Sequence, residues 1–99
     1  MQLENIFNSL DIIEATIKKN DFSDLAFCNK LINDETKKIL LLTKDVFVEE
    51  LIFGVYFGWK YCSGQINSGI YRLNVHEELE KISADCQRIR TYLNNNFKE

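Results

Sequence analysis

The residues of this chain best suited to chemistry are the carboxylates that follow its single histidine. His76 precedes Glu77, Glu78 and Glu80. A Glu-x-x-His spacing on a helix would place two metal ligands on one face, as in carboxylate-bridged metal sites of helical bundles. Leu73 stands where that glutamate is needed, so the signature is incomplete. We therefore expect a solvated histidine and a glutamate-rich helix start, which the helix dipole favours.

Two glutamate pairs, at 49–50 and 77–78, invite comparison with an enzyme family. They resemble the pairs with which helical nucleotide pyrophosphohydrolases hold magnesium. That family's repeat is Glu-Glu-x-x-Glu, and here Phe53 and Lys81 replace the third glutamate. The sequence also has no glycine-rich phosphate loop, Cys/His dyad or serine-nucleophile motif. We therefore predict a protein that is not an enzyme, with no catalytic residue, cofactor or metal.

Cysteine usage indicates a reducing compartment. Cys28, Cys62 and Cys86 are widely separated and odd in number, so they imply neither a metal site nor a disulfide framework. We expect each to be a small buried apolar side chain. The N-terminus has no basic region followed by an apolar stretch, so no signal peptide is predicted. The expected location is the cytoplasm.

Charge limits the classes of partner. A net charge of -3 argues against broad binding to nucleic acid or to an anionic membrane. The basic residues are scattered among acids, and the segment that would serve as a recognition helix is too apolar. A small nucleic-acid-binding regulator is therefore an alternative, not the first hypothesis. Abundant lysine, asparagine and isoleucine suggest an AT-rich bacterial or phage genome.

The element that must organise the fold is the apolar run at residues 51–59. Apart from the Tyr56 hydroxyl and the indole N–H of Trp59, its side chains are apolar. A bilayer span needs about twenty such residues, so no membrane segment is predicted. The wider apolar reach, 46–62, is long for a strand and normal for a buried helix. We predict a central helix, ended by Gly64 in the left-handed conformation.

Helical periodicity extends over most of the remaining chain. Apolar residues recur at steps of three and four over 3–19 and from Val75 to Leu93, with a shorter segment at 25–32. We expect 33–34 to separate that segment from the next. Whether 35–63 is one helix or two is left open, although Thr43-Lys44-Asp45 favours a break or kink.

The end of the apolar region and the start of the last segment have their own signals. The glycine-containing stretch 65–73 is the predicted linker. Asn74 with Glu77 resembles a capping box at the start of the last helix. With no proline in the chain, the predicted fold class is all-α. Residues 1–99 should form a single helical domain: a small antiparallel bundle of four or five helices with a central, almost wholly apolar helix.

Several features predict either a close helix crossing within one molecule or contact with another polypeptide. A bundle of 99 residues cannot easily surround a helix that is apolar on all sides. Gly54 and Gly58 each cost a helix about 1 kcal/mol relative to alanine, which a close helix approach would offset. The strict repeat of the last segment is typical of a coiled-coil seam. Packing against the first segment is the simplest explanation, and dimerisation is the alternative. The candidate interface or close helix crossing comprises Phe53, Gly54, Tyr56, Phe57, Gly58, Trp59, Val75, Leu79 and Ile82.

The sequence thus predicts a non-catalytic protein-interaction module, self-associating as a homodimer, with a different protein partner as the other possibility. The Phe-Gly-x-x-x-Gly stretch at 53–58 is similar to small proteins of low-GC Gram-positive bacteria and their phages, which implies a phage, mobile-element or regulatory setting but no activity. A helical metal-dependent hydrolase with unrecognised ligands is the third alternative.

Overall fold

The computed structural model describes residues 2–69 and 73–97, and the regular secondary structure of these residues is entirely helical. The all-α prediction is confirmed at that level. Four helices lie within the described residues: α1 (Leu3–Lys18), α2 (Leu25–Leu42), α3 (Val46–Asn67) and α4 (Leu73–Asn96).

Each helix packs against two others in a closed order. Helix α1 meets α2, α2 meets α3, α3 meets α4 and α4 meets α1, while over the described ranges the two diagonal pairs have no Cα atoms within 8 Å. The short connections at 19–24 and 43–45 make consecutive helices run in opposite directions. Cys62, late in α3, likewise donates to the Val75 carbonyl, early in α4, at 3.8 Å. This order of contacts is typical of an antiparallel four-helix bundle.

Helix α3 occupies a corner of this arrangement, so the predicted central position does not hold. Its packed neighbours are α2 and α4. One side of α3, with Ile52, Val55 and Trp59, enters the core, while the opposite side is exposed. The physical reason is geometric: four helices that share one core each present a single stripe to it.

The core draws on all four helices. Residues with no exposed surface include Leu10, Ile32, Ile52 and Ile89, one from each helix. Full burial of such a side chain contributes about 1.5–3 kcal/mol. In α1 and α4, the buried residues form the apolar stripes that the sequence predicted for the first and last segments.

Helix α2 is longer than the sequence predicted. The expected boundary at 33–34 was wrong, because the helix continues from Leu25 through to Leu42. Lys30 and Asp34 form an i,i+4 ion pair at 2.8 Å across that point, and Glu35 one residue later is buried against α1. These contacts outweigh the weak helix propensity of Asn and Asp.

The break at 43–45 is real, so residues 35–63 belong to two helices. Asp45 Oδ1 accepts hydrogen bonds from the backbone N–H groups of Phe47 at 2.9 Å and Val48 at 3.3 Å. Thr43 Oγ1 in turn accepts from the Asp45 N–H at 3.1 Å. Tyr92 of α4 donates its hydroxyl to Asp45 Oδ2 at 2.6 Å. One aspartate therefore starts α3 and ties it to the end of α4.

This cap gives a pH prediction. The Tyr92 hydrogen bond, followed by the backbone hydrogen bonds of the cap, lowers the pKa of Asp45 below its ordinary value of 3.8. A lowered folded-state pKa contributes stability above the unfolded value and loses it as pH falls through the folded value. We expect Asp45→Asn, which keeps a capping side chain, to reduce the acid-induced loss of stability. Urea unfolding across the acidic range tests this, and an unchanged pH profile would contradict it.

The C-terminal end of α3 and the start of α4 also differ from the prediction. Helix α3 continues through Gly64 to Asn67, and Gly69, with φ of 75°, is the residue in the left-handed region. Asn74 lies inside α4 and not at its cap. Residues 70–72 of the predicted linker lie outside the described residues.

The cysteines match their expected environment. Cys28, Cys62 and Cys86 are all buried and free. Burial, as the largest cause, raises the pKa of Cys62 to about 11 and that of Cys86 to about 12. Both thiols are therefore protonated and unreactive near neutral pH. No helix in the described parts of the chain is long and apolar enough to cross a membrane.

Candidate functional site

The carboxylates singled out first do not come together. Over residues 2–69 and 73–97, no group of three or more His, Cys, Asp and Glu side chains could hold a metal ion. His76 is exposed, and its Nε2 lies 3.2 Å from Glu80 Oε1 one helical turn away. Glu77 is also exposed, on the outer side of α4. The geometry is that of a solvated helix start.

A different set of carboxylates is buried, and the sequence analysis missed it. Glu35 of α2 is 5% exposed and accepts from Ser9 Oγ of α1 at 2.8 Å and from Lys38 Nζ at 3.0 Å. Asp85 of α4 is equally enclosed, with Arg88 Nη1 at 3.5 Å. The sequence did contain a signal for these two acids. Both occupy positions that helical spacing places on the apolar side of their helices.

The third buried carboxylate belongs to a network between α1 and α4. Glu14 accepts from Gln87 Nε2 at 3.0 Å and from Arg90 Nη2 at 3.4 Å. Arg90 also bonds Asp11 at 2.6 Å. These contacts satisfy the acids and fix how α1 lies on α4. We assign them a structural role, because each carboxylate of this network is bonded to a side chain within the fold.

The described residues also include an exposed aromatic surface, which lies on the outer side of α3. We call it the α3 face and define it by eight exposed positions, spaced three or four residues apart as on one side of a helix. Three aromatic rings dominate it: Phe53 is 46%, Phe57 60% and Tyr61 43% exposed. The α3 face consists of Val46, Glu50, Phe53, Gly54, Phe57, Lys60, Tyr61 and Gly64.

The two phenylalanine rings of this face are in contact with each other. The Phe53 and Phe57 ring centroids are 6.5 Å apart with planes at 25°, and the half-buried Tyr56 meets Phe57 edge-on at 5.3 Å. Lys60 Nζ lies 5.8 Å from the Tyr56 ring centroid. The patch is therefore continuous and apolar in its middle, with Glu50 on the N-terminal side and Lys60 on the C-terminal side. Such a rimmed patch is typical of an interaction site.

The structure divides the predicted interface residues into two groups. Phe53, Gly54 and Phe57 lie on the α3 face, and Tyr56 lies at its edge. The remaining five are buried inside the molecule and are not available to a partner in this structure. They are Gly58, Trp59, Val75, Leu79 and Ile82.

Gly58 marks the close helix crossing. A Cβ atom there would lie 2.6 Å from Glu78 Oε1 and 3.3 Å from Ile82 Cγ1. A Cβ atom on Gly54 would lie 3.7 Å from Asp85 Oδ2, an ordinary contact distance. Of the two glycines, only Gly58 is required for the helices to approach this closely.

Trp59 belongs to the core. Its side chain is 1% exposed, and its indole Nε1 donates to Asn29 Oδ1 of α2 at 2.9 Å. Ser63 Oγ donates to the same oxygen at 2.7 Å, and the Phe22 ring lies 5.7 Å from the indole. The indole therefore joins α3 to α2, so the surplus aromatic surface is carried by its neighbours along the helix.

A second apolar surface lies in the groove between α1 and α2. Phe27 is 56% and Ile12 37% exposed there, and Leu31 continues the groove. Lys19 and Asp24 interrupt it with opposite charges. It is more mixed in polarity than the α3 face and has no contiguous stack of rings.

Comparison with known proteins provides no relative from which a function could be transferred: no family model matches this chain, and neither the curated proteins nor the solved structures contain a significant match.

Proposed function

We propose that this protein is a non-catalytic helical interaction module that self-associates through the α3 face. The observation that carries the proposal is the exposure of Phe53, Phe57 and Tyr61 on a helix whose opposite side already completes a core. Since the core is closed without these rings, their burial is not needed to fold one molecule. Aromatic residues in a contiguous surface patch are characteristic of protein interfaces.

The exposed aromatic area of the α3 face supports association of moderate strength. Whole aromatic side chains bury 150–250 Å² each, so the exposed parts of three rings amount to roughly 300 Å² per molecule. Covering them in two copies would gain on the order of 15 kcal/mol at about 25 cal/mol per Å². Association itself costs about 4–15 kcal/mol. The difference is about 0–11 kcal/mol, a range that includes the ~8 kcal/mol of a micromolar dimer, and we propose an affinity of that order.

The proposed setting is the cytoplasm of a bacterium or the interior of a phage-infected cell, where the module would act as a regulatory or mobile-element protein. The buried, unpaired cysteines support a reducing compartment. Charge and composition support the bacterial or phage origin. A different protein partner is the second candidate, favoured by the exposed Phe27 and Ile12 in the groove between α1 and α2.

The proposal predicts that removing two rings of the α3 face produces a folded monomer. Phe53→Ser with Phe57→Ser should abolish self-association and change the free energy of unfolding of the monomer by less than about 1 kcal/mol, because both side chains are exposed. Sedimentation equilibrium gives the mass, and urea unfolding at low protein concentration gives the stability.

Leu41→Ser is the matched control, since Leu41 is 83% exposed but lies on α2. It should leave the dimer intact. A wild-type protein that stays monomeric up to the order of 100 μM would contradict the proposal, since a Kd beyond that corresponds to less than about 5.5 kcal/mol of binding. Loss of the dimer in Leu41→Ser but not in the double variant would place the interface on α2.

A further inference from the structure

We infer that two copies pair through their α3 faces in antiparallel orientation, about a two-fold axis level with Val55. This inference rests on the proposed self-association and adds the orientation and register of the two helices. It comes from the order of charges and rings along one helix face.

Charge on the α3 face is polarised along the helix. Glu50 is exposed near the N-terminal end and Lys60 is exposed near the C-terminal end. Their separation of ten positions corresponds to about 15 Å of helix. Phe53 and Phe57 lie between the two charges, and the half-buried Glu49 adds a second acid beside Glu50. The face therefore carries an acidic end, an aromatic middle and a basic end.

An antiparallel pair makes this order self-complementary. With the axis level with Val55, Phe53 of one copy comes to the height of Phe57 of the partner subunit. Lys60 comes to the height of Glu50 of the partner subunit, within reach of its long side chain. Both contacts occur twice, because a two-fold interface uses the same patch on each subunit. Gly54, which has no side chain, leaves room on the face for the two helices to approach within the usual 8–10 Å.

The other arrangements lose these contacts. A parallel pair about a two-fold axis along the helices brings Glu50 against Glu50 and Lys60 against Lys60, and like charges in juxtaposition are unfavourable. An antiparallel pair centred on Phe57 sets Lys60 at the height of Gly54 and leaves the acids without a cation. The register at Val55 pairs both the rings and the charges, which favours a second copy of this chain as the occupant.

Charge reversal tests the register. Glu50→Lys or Lys60→Glu alone should each raise the dimer Kd on the order of tenfold, since two exposed pairs change from attraction to repulsion. The double variant Glu50→Lys with Lys60→Glu recreates both pairs in reversed order and should return the Kd to within about threefold of wild type. Sedimentation equilibrium at low ionic strength is the measurement, because salt screens exposed pairs.

Cross-linking supplies an independent readout. The native cysteines are buried, so a thiol introduced by Glu50→Cys or Lys60→Cys is the accessible one. A short bismaleimide, matched to the ~8–10 Å between packed helix axes, should link a mixture of the two variants and neither variant alone. This pattern, with rescue by the double charge variant, is the expected result.

The outcomes separate the two proposals. Self-linking of the Glu50→Cys variant would indicate parallel helices and overturn the register while leaving self-association intact. A dimer that shows neither cross-linking of the mixture nor charge rescue would likewise overturn it. A wild-type chain that remains monomeric at every concentration would overturn the proposed function and the register together.

Discussion

Trp59→Ala is expected to lower the free energy of unfolding by about 3–5 kcal/mol, the usual cost of removing a buried large aromatic side chain. The indole is 1% exposed and bonds Asn29 of α2 at 2.9 Å. Its removal opens a cavity between two helices and takes one donor from the Asn29 amide oxygen. For a domain whose total stability is typically 5–15 kcal/mol, this is a large share. Urea unfolding followed by circular dichroism measures it.

Two variants make the result specific. Trp59→Phe keeps an aromatic ring but loses the indole N–H, so we expect a smaller loss. Tyr61→Ala, on the α3 face, should change the monomer by less than about 1 kcal/mol and weaken the dimer instead. If Trp59→Ala unfolded at wild-type urea concentrations and lost only its self-association, Trp59 would be an interface residue and the core placement would be wrong.

Gly58→Leu is expected to destabilise the fold by about 1–3 kcal/mol, because a side chain is added where α3 and α4 already touch. The Glu78 carboxylate, 2.6 Å from the site of a Cβ atom, can rotate away. Ile82 at 3.3 Å is itself buried and cannot. The steric cost should exceed the roughly 1 kcal/mol gained by replacing glycine in a helix.

Gly64→Leu is the matched control. It makes the same substitution in the same helix, at a position where no other described part of the chain, beyond the adjoining helix turns, lies within 4 Å of a Cβ atom. We expect it to leave stability unchanged or to raise it by up to about 1 kcal/mol. Thermal unfolding of both variants at low protein concentration, where dimerisation does not contribute, gives the comparison. Equal stability of the two variants would show that the α3–α4 crossing at Gly58 is not close.

Local patterns were sufficient for most of the helical structure. The 3-4 spacing of apolar residues predicted α1 and the long last helix, and the polar triplet at 43–45 predicted the break before α3. These features depend on residues close together in sequence, such as the Asp45 side chain and the N–H groups of Phe47 and Val48. The nine candidate interface residues lie on α3 and α4, and the structure leaves Phe53, Gly54 and Phe57 among them exposed. Their role at an interface stays a prediction.

Tertiary contacts decided the rest. Asn33 and Asp34 read as a boundary, but helix α2 passes through them to Leu42, since packing on neighbouring helices outweighs local propensity. The same packing divided the aromatic run, enclosing Trp59 and exposing Phe53 and Phe57. The sequence analysis assigned the close helix crossing to Gly54 and Gly58 together. In the structure, only Gly58 lies where the two helices approach closely.

The sequence by itself therefore determined that this chain is helical and rich in aromatic surface along one segment, because helical periodicity is a local property. Which side of that segment is covered depends on where two other helices lie against it. Ser9 with Glu35 and Glu14 with Gln87 join residues 26 and 73 positions apart. Contacts of that separation fix the helix rotations, and no short-range pattern encodes them.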